Sequence, residues 1–445
     1  MLRTLIISFI SVFSILVFSQ ENNDSTFITG DYSVKIDSIV IRGNKITEDF
    51  IIQRELTFHN GDSLTPQKAA YNRDRVYSLG LFDHVVITPS VHDNITFAVI
   101  DVDEAWYIWP IPFLDVKKGD WNKLSYGIDL LVKNFRGLNE TVRFNFGLGY
   151  DPSVAVSYTK PVLQYGSNVS LTTSLSYSNV QNESVTAEYK YGSQFSQKML
   201  NAQVIVGDRF SLFHYVQVTG GFNYIETPLY IPNSNINASG QRIDHIVYLG
   251  AAYFYDTRDL AQFPLNGIYG IVNVLDKGLG IQNINYQVYT IDFREYRRII
   301  GDIHAKWRFV TRLTSGKLIP SYDISFLGIG DRVRGYSNYV EEGNNYYLTS
   351  LEFYHPIIKD VNINLDFIPI VPKQLLSYRV ALYAEIFGDA GTATQRGRNI
   401  GINDFESGYG FGLTLLMLPY NILRVEMAFN NFAKSELLVD LGISF

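Results

Sequence analysis

The chain has 445 residues, with no cysteine, 31 Tyr and 29 Phe against 4 Met, a mean hydropathy of zero and a formal net charge of −7. Without cysteine, disulfides, thiol catalysis and thiolate-bound metals are excluded, and the weak, unclustered charge leaves no footprint for nucleic acid. Mean hydropathy is too low for a bundle of membrane helices, yet an aromatic share of 14 % is high for a soluble protein; a β-barrel, in which only alternate residues meet lipid, reconciles the two.

Met1 to Arg3 gives a short positive end and Leu5 to Phe18 an apolar run, with Val17 and Ser19 as small residues before Gln20. The run is shorter than the roughly 20 residues of a spanning helix, so residues 1–19 are expected to be a cleaved signal peptide. No cysteine follows it for a lipid anchor.

Residues 31–104 are predicted to form a compact α+β unit of order βααββ. Val34 to Arg42 alternates as a strand, and Gly43-Asn44 turns. Thr47, Glu48 and Asp49 open a helix expected to reach about Leu56. Thr65 caps a second helix with Pro66 at its first position and Gly80 just beyond its end; Ala69, Val76 and Leu79 form its apolar stripe. Phe82 to Thr88 and Ile95 to Val102 are two strands joined by a turn over Val91 to Asn94. The caps and apolar faces are local to this span, so it is expected to fold by itself, about 70 residues being just enough for a core.

From residue 105 to 445 the texture changes to short alternating segments between turns. Val142, Phe144, Phe146, Leu148 and Tyr150 interleave with Arg143, Asn145, Gly147 and Gly149. Tyr409, Phe411, Leu413, Leu415 and Met417 interleave with Gly408, Gly410, Gly412 and Thr414. Leu423, Val425, Met427 and Phe429 interleave with Arg424, Glu426 and Asn430. The polar face, made of glycine, serine and charge, suits a water-filled lumen, and lipid requires the strands to close. Spanning strands need about 9–11 residues and bacterial barrels use an even number. The chain is therefore mainly β, a transmembrane antiparallel barrel of about sixteen strands, with a last strand ending on Phe445 to close the ring. The apolar, proline-bearing stretch Pro356 to Ser377 reads as a poor strand. It suits either an interfacial segment or a loop packed on the barrel rim.

No catalytic or metal constellation is legible. The seven His are scattered, and neither a Gly-x-Ser-x-Gly elbow nor a phosphate-binding loop is present. No cofactor is expected. The distinctive segment is Leu327 to Tyr336, LGIGDRVRGY. Its glycines permit a tight loop, and an arginine there needs carboxylates for its fork. Glu352 on the following strand and Asp389 in FGDAG on the next are candidate partners of Arg334. On the residues alone, an exposed loop arginine with unrelated strand carboxylates is the favoured reading.

LGIGDRVRGY, followed by SLEFYHPI and IFGDAG, resembles the Val-Arg-Gly-Phe/Tyr loop and succeeding strands of the BamA/TamA-type outer-membrane assembly and two-partner secretion superfamily. DTRDLAQFPLNG (256–267) is similar to that family's periplasmic turn, and NFRGLNETVRF lies where the family passes from its second to its third strand. The 31–104 unit resembles a POTRA domain, with SLGLFDHV matching the approach to its second strand. The resemblance implies a bacterial outer-membrane barrel with the POTRA domain in the periplasm. It places Arg334 in the lumen against Glu352 and Asp389, with Gly335 and Tyr336 shaping the loop tip. It further implies a non-enzymatic role in inserting or translocating polypeptides. The expected partners are outer-membrane lipids, unfolded outer-membrane or secreted client proteins, and periplasmic chaperones or accessory lipoproteins. A passive channel of the same fold is the alternative. One departure is plain: the family's main assembly proteins carry several POTRA domains and its two-partner transporters two, whereas one is legible here.

Overall fold

The structure is a computed structural model describing residues 31–117, 120–228, 236–336, 339–365, 367–368 and 371–443. The expected signal segment and Phe445 lie outside the described residues.

The N-terminal domain comprises β1 (Val34–Lys35), β2 (Ser38–Arg42), α1 (Asp49–Gln53), β3 (Ser63–Leu64), α2 (Pro66–Tyr77), β4 (Phe82–His92) and β5 (Ile95–Glu104). The single strand expected over 34–42 is broken, because the chain changes partners there. Ile36 N donates to Asp62 O at 2.9 Å and Asp37 N to Thr96 O at 2.8 Å, which moves the chain from β3 to β5 while Ile36 enters the core. The first helix stops at Gln53, short of Leu56. Thr47 does not cap it: its backbone N–H and hydroxyl both donate to Glu104 Oε1, at 2.7 and 2.8 Å. In α2, by contrast, Thr65 Oγ1 accepts from Lys68 N at 3.2 Å and Pro66 occupies the first turn. Ala69 and Val76 are buried as expected and Leu79 partly so. β4 runs past Thr88 to His92, and Asp93 and Asn94, with φ of 50° and 62°, make the two-residue turn whose twist suits a hairpin. The sheet order is β2-β5-β4, with β2 parallel to β5, so β4 is an edge strand. Pro89 sits on it where no ladder donor is needed.

The remaining strands are β6 (Ile108–Val116), β7 (Leu124–Phe135), β8 (Glu140–Gly149), β9 (Ser153–Lys160), β10 (Val169–Gln181), β11 (Ser196–Asp208), β12 (His214–Glu226), β13 (Ile243–Asp256), β14 (Gly267–Lys277), β15 (Tyr286–Ile300) and β16 (Ile303–Gly316). After them come β17 (Ser325–Leu327), β18 (Glu341–Gly343), β19 (Asn345–Asn364), β20 (Ser377–Thr394), β21 (Glu406–Leu418), β22 (Asn421–Asn430) and β23 (Ser435–Ile443). Apart from the small β17–β18 hairpin, they form one sixteen-stranded antiparallel sheet in chain order from β6 to β23. The sheet is not closed: among the described residues β6 and β23 share no ladder. No described helix is long and apolar enough to cross a membrane; the strands do so, with Tyr409, Phe411, Leu413, Leu437, Val439 and Leu441 on the outer face.

The stretch from Pro356 corrects the expectation of a poor strand. β19 continues through it to Asn364, paired with β20 across register shifts at Pro356/Ile358 and Ile358/Val361, so the proline sits at a bulge. The actual connection spans only residues 365–376. Pairing of β16 with β19 ends at His304–Tyr354, so the β19–β20 hairpin overhangs its neighbour at the end of the barrel that carries the N-terminal domain, here the near end.

The N-terminal domain docks across that near mouth. Its core is continuous with Leu260, Phe263, Tyr354, Tyr383 and Leu416 of the barrel. Lys133 Nζ donates to Gly80 O at 2.9 Å and Asn134 Nδ2 to Thr47 Oγ1 at 2.8 Å. Arg379 on β20 pairs with Asp74 of α2 at 2.8 Å, and Trp106 N donates to the Tyr420 hydroxyl at 3.2 Å. Glu55, itself buried, is gripped by Arg75 at 2.9 Å and by Arg209 of the β11–β12 turn at 2.5 Å. Burial would raise the Glu55 carboxyl, but the Arg209 hydrogen bond and the charges of Arg209, Arg75 and Arg54 outweigh it and hold it below its ordinary range. A carboxylate depressed by docking stabilises the docked state above the ordinary Glu value of about 4.3, and that contribution is lost as pH falls through the depressed value. Spin labels at His59→Cys and Ile299→Cys should therefore give one narrow distance at neutral pH that broadens in strong acid. Glu55→Gln should broaden it at neutral pH, because losing one member of a buried pair costs ~3–5 kcal/mol. An unchanged distance in the variant would sink this account of docking.

Candidate functional site

Between β16 and β19 the chain folds back into the lumen as a long loop. Gly328 and Gly330 take φ of 110° and 78°, and Gly328 N donates to Asp331 O at 2.7 Å, closing the turn that aims Arg334 inward. Gly335 follows at φ 95°, where any side chain would be strained and would press on the backbone of Phe429 and Asn430. Tyr336 packs against a cluster of Val310, Leu327, Val333, Tyr346, Leu348 and Ala393, with its hydroxyl on the Asn431 side chain.

The period of two along each strand brings polar side chains to one place inside the sheet. Arg334 Nε and Nη2 form a fork to Asp389 Oδ2 and Oδ1, both at 2.7 Å, and Arg334 N adds a third bond to Asp389 at 3.1 Å. Nη1 donates to Glu426 Oε1 at 2.7 Å. Nη2 also meets Glu352 Oε1 and Ser350 Oγ, both at 3.0 Å. The guanidinium lies 3.6 Å from the Phe387 ring centroid, so it stacks as well as pairs. Arg334 is only 8 % exposed, and Glu352, Asp389 and Glu426 are buried with it. The structure therefore brings Arg334 together with both carboxylates proposed from the sequence. It adds Glu426 from β22, Ser350 and Phe387, which sequence reasoning did not single out. Glu426 had been visible only as one polar residue in the alternation of its strand.

Supporting charges surround this centre. Lys306 Nζ meets Glu352 Oε2 at 3.0 Å and Arg424 approaches Glu385 at 3.6 Å, so several carboxylates share the positive charge of three cations. Asp331 is held by Arg308 at 2.8 Å and by the Tyr346 hydroxyl at 2.7 Å, and Arg332 reaches Asp440 on β23 at 3.2 Å. Space for the loop comes from β21: a Cβ at Gly408 would stand 1.8 Å from the Arg334 carbonyl oxygen. Among the described residues no cluster of His, Asp and Glu is arranged to hold a metal ion. The convergence of charge-assisted bonds on one guanidinium makes a latch that fixes the loop.

A sixteen-strand antiparallel sheet with an apolar outer face, a small α+β domain at one mouth and an arginine loop inside is the architecture of a membrane β-barrel. The Omp85 superfamily domain matches residues 134–445 and the POTRA description "Surface antigen variable number repeat" matches residues 34–105; the chain belongs to the Omp85 superfamily. Its fold is similar to that of BamA from Haemophilus ducreyi lacking POTRA domains 1–3, at 15 % identity and a TM-score of 0.53, over 92 % of this chain and 85 % of that one. It is also similar to CdiB from Acinetobacter baumannii, at 16 % identity and a TM-score of 0.50, over 92 % and 73 % of the two chains. No curated protein matches the chain by sequence.

Proposed function

We propose that this protein inserts polypeptides into the bacterial outer membrane or threads them across it, by binding and strand exchange rather than by any hydrolytic step. The organisation that goes with this reading is a signal peptide over 1–19, a periplasmic POTRA domain over 31–104 and a barrel over 105–445. Client strands are received by the edge of β4 through β-augmentation and by the unclosed seam of the barrel, whose unpaired backbone groups seek a partner. A cleft of about 280 Å³ runs along β4 from Val85 to Pro89, walled by α2 and by Asp360, Asn362 and Arg379 of the overhanging hairpin, and it supports a receptor role for that edge. Outer-membrane lipids surround the barrel, and periplasmic chaperones or accessory lipoproteins deliver the unfolded clients.

The observation that carries the reading is the buried Arg334 latch within an unclosed sheet. A loop held by so many charge-assisted bonds is costly to build for a passive pore, and it occupies the lumen such a pore would leave open. Depleting the protein and profiling the outer-membrane and secreted proteomes tests this. A defined set of barrel or secreted proteins should fall severalfold while inner-membrane proteins stay constant. An unchanged profile alongside altered membrane permeability would favour the passive channel instead.

A further inference from the structure

Away from the Arg334 latch, a cavity of about 280 Å³ lies between the N-terminal domain and the lumen wall. Its roof is the end of α1. Phe50 holds that helix against Tyr165 of the β9–β10 turn, with ring centroids 4.6 Å apart. Arg54 follows the helix directly, and its N–H donates to Phe50 O at 3.0 Å. The floor is Thr159 of β9, Ser170 and Thr172 of β10, and Tyr215 and Gln217 of β12. Val156, Leu175, Val216 and Val218, at alternate positions of the same strands, are exposed on the outer face. By the period of two, the floor residues therefore face inward, and the cavity opens to the lumen rather than to lipid.

The charge in this cavity does not balance. Glu55 is the one carboxylate among the described residues that line it, and both its oxygens are taken. Oε1 accepts from Arg209 Nη1, and Oε2 from Arg75 Nη2 and Arg209 Nη2, both at 2.9 Å. Arg54 stands beside them, and its guanidinium makes no hydrogen bond or ion pair with any described residue. The side-chain amides of Asn139 and Asn168, on the same wall, make no hydrogen bond either. Three guanidinium groups thus share one saturated carboxylate, an excess of two positive charges. Burial and the Arg209 charge pull Arg54 below its ordinary value, and the Glu55 charge restores it only in part. A partly buried cation without a partner is costly, and an anion in the cavity would remove that cost.

We infer that this cavity binds one soluble phosphate-sized dianion, either inorganic phosphate or a phosphate monoester. Arg54 supplies the planar fork that suits phosphate oxygens, Arg209 adds its charge, and the amides of Asn139 and Asn168 donate to the remaining oxygens. A dianion matches the excess of two charges, where a single carboxylate would leave one uncompensated. Arg54 belongs to the domain and the other groups to the barrel, so the bound ion clamps one to the other and stabilises docking by mass action. Neither the site nor its test depends on what the barrel transports.

The test uses the full-length protein in phosphatidylcholine nanodiscs, titrated with sodium phosphate and, at matched ionic strength, with sodium chloride. Phosphorus NMR line broadening should saturate at one phosphate per chain. The temperature at which the His59→Cys to Ile299→Cys label distance broadens should rise with phosphate and not with chloride. Arg54→Gln should weaken phosphate by roughly tenfold or more, as the loss of charge-assisted hydrogen bonds requires, while Lys35→Gln, the same charge change on exposed β1, should leave it unaltered. Heat-modifiable gel mobility confirms that each barrel has folded. Without phosphate, Arg54→Gln should leave the domain docked at least as firmly as wild type, because it removes a repulsion with Arg209. Loosening of equal size with and without phosphate would make Arg54 a structural residue and overturn the site. Equal phosphate affinity in wild type and Arg54→Gln would overturn it too. A response that phosphate and chloride share, or that does not saturate, would mean an adventitious ion only. In a second arm, nanodiscs of phosphatidylglycerol should give the same phosphate affinity; a weaker one would show lipid headgroups competing and overturn the luminal, soluble source.

Discussion

Arg334→Ala should give a folded, membrane-inserted barrel that loses most of its assembly or translocation activity. The sheet is held by strand-to-strand hydrogen bonds that a single side chain does not decide. The loop, in contrast, is positioned by the fork to Asp389, the bonds to Glu426 and Glu352 and the stacking on Phe387. Removing the cation leaves Asp389 and Glu426 buried without their guanidinium while Glu352 keeps Lys306, a cost of ~3–5 kcal/mol, which is enough to release the loop at equilibrium. Arg334→Lys should fail almost as badly, because an ammonium is a point charge that cannot reach all of these groups in one geometry. Client abundance in cells and single-channel conductance in bilayers would be measured together for wild type, Arg334→Ala and Asp389→Asn. Client levels equal to wild type in both variants would refute the latch as part of the mechanism. Unstable conductance with unchanged clients would point to a passive pore.

Gly408→Ala should reproduce much of that phenotype without altering any charge. The added methyl would sit 1.8 Å from the Arg334 carbonyl oxygen, a backbone contact that no rotamer change relieves, so the loop or β21 must move. Since both substitutions act on the same element, the double variant Arg334→Ala/Gly408→Ala should be little worse than either single one, a large departure from additivity. Client abundance in the four strains checks this, with heat-modifiable gel mobility reporting that each barrel has folded. Additive losses, or a silent Gly408→Ala, would show that β21 does not shape the loop's seat.

The fold was largely legible because the period of two persists over most strands and each run is bounded by turns. The arginine was legible because an apolar, glycine-rich loop is a poor place for a cation without partners. Asp389 and Glu352 lie on the strands that follow the loop, so sequence position made them candidates and the family resemblance made them partners. Glu426 lies 92 residues from Arg334, and only strand register, which alternation alone does not fix, brings it to the same guanidinium. Thr47 misled for a similar reason. Its sequence context is that of a helix cap, but Glu104, 57 residues away, accepts its hydroxyl, and a tertiary contact overrode the local signal. Pro356 misled because a proline argues against a regular strand, whereas β19 absorbs it with a register shift.

The N-terminal domain grips the barrel on both flanks of the gap between its first and last strands. Lys133 and Asn134 hold it on one side, and Arg379 holds it on the other, where Tyr420 also binds Trp106 just past the domain's end. A sheet pinned across its split at one end can part only as a fan does, pivoting at the pinned end and spreading at the other. Any opening is then a wedge, narrow at the pinned end and wide at the other, and the sheet can spread there without coming apart.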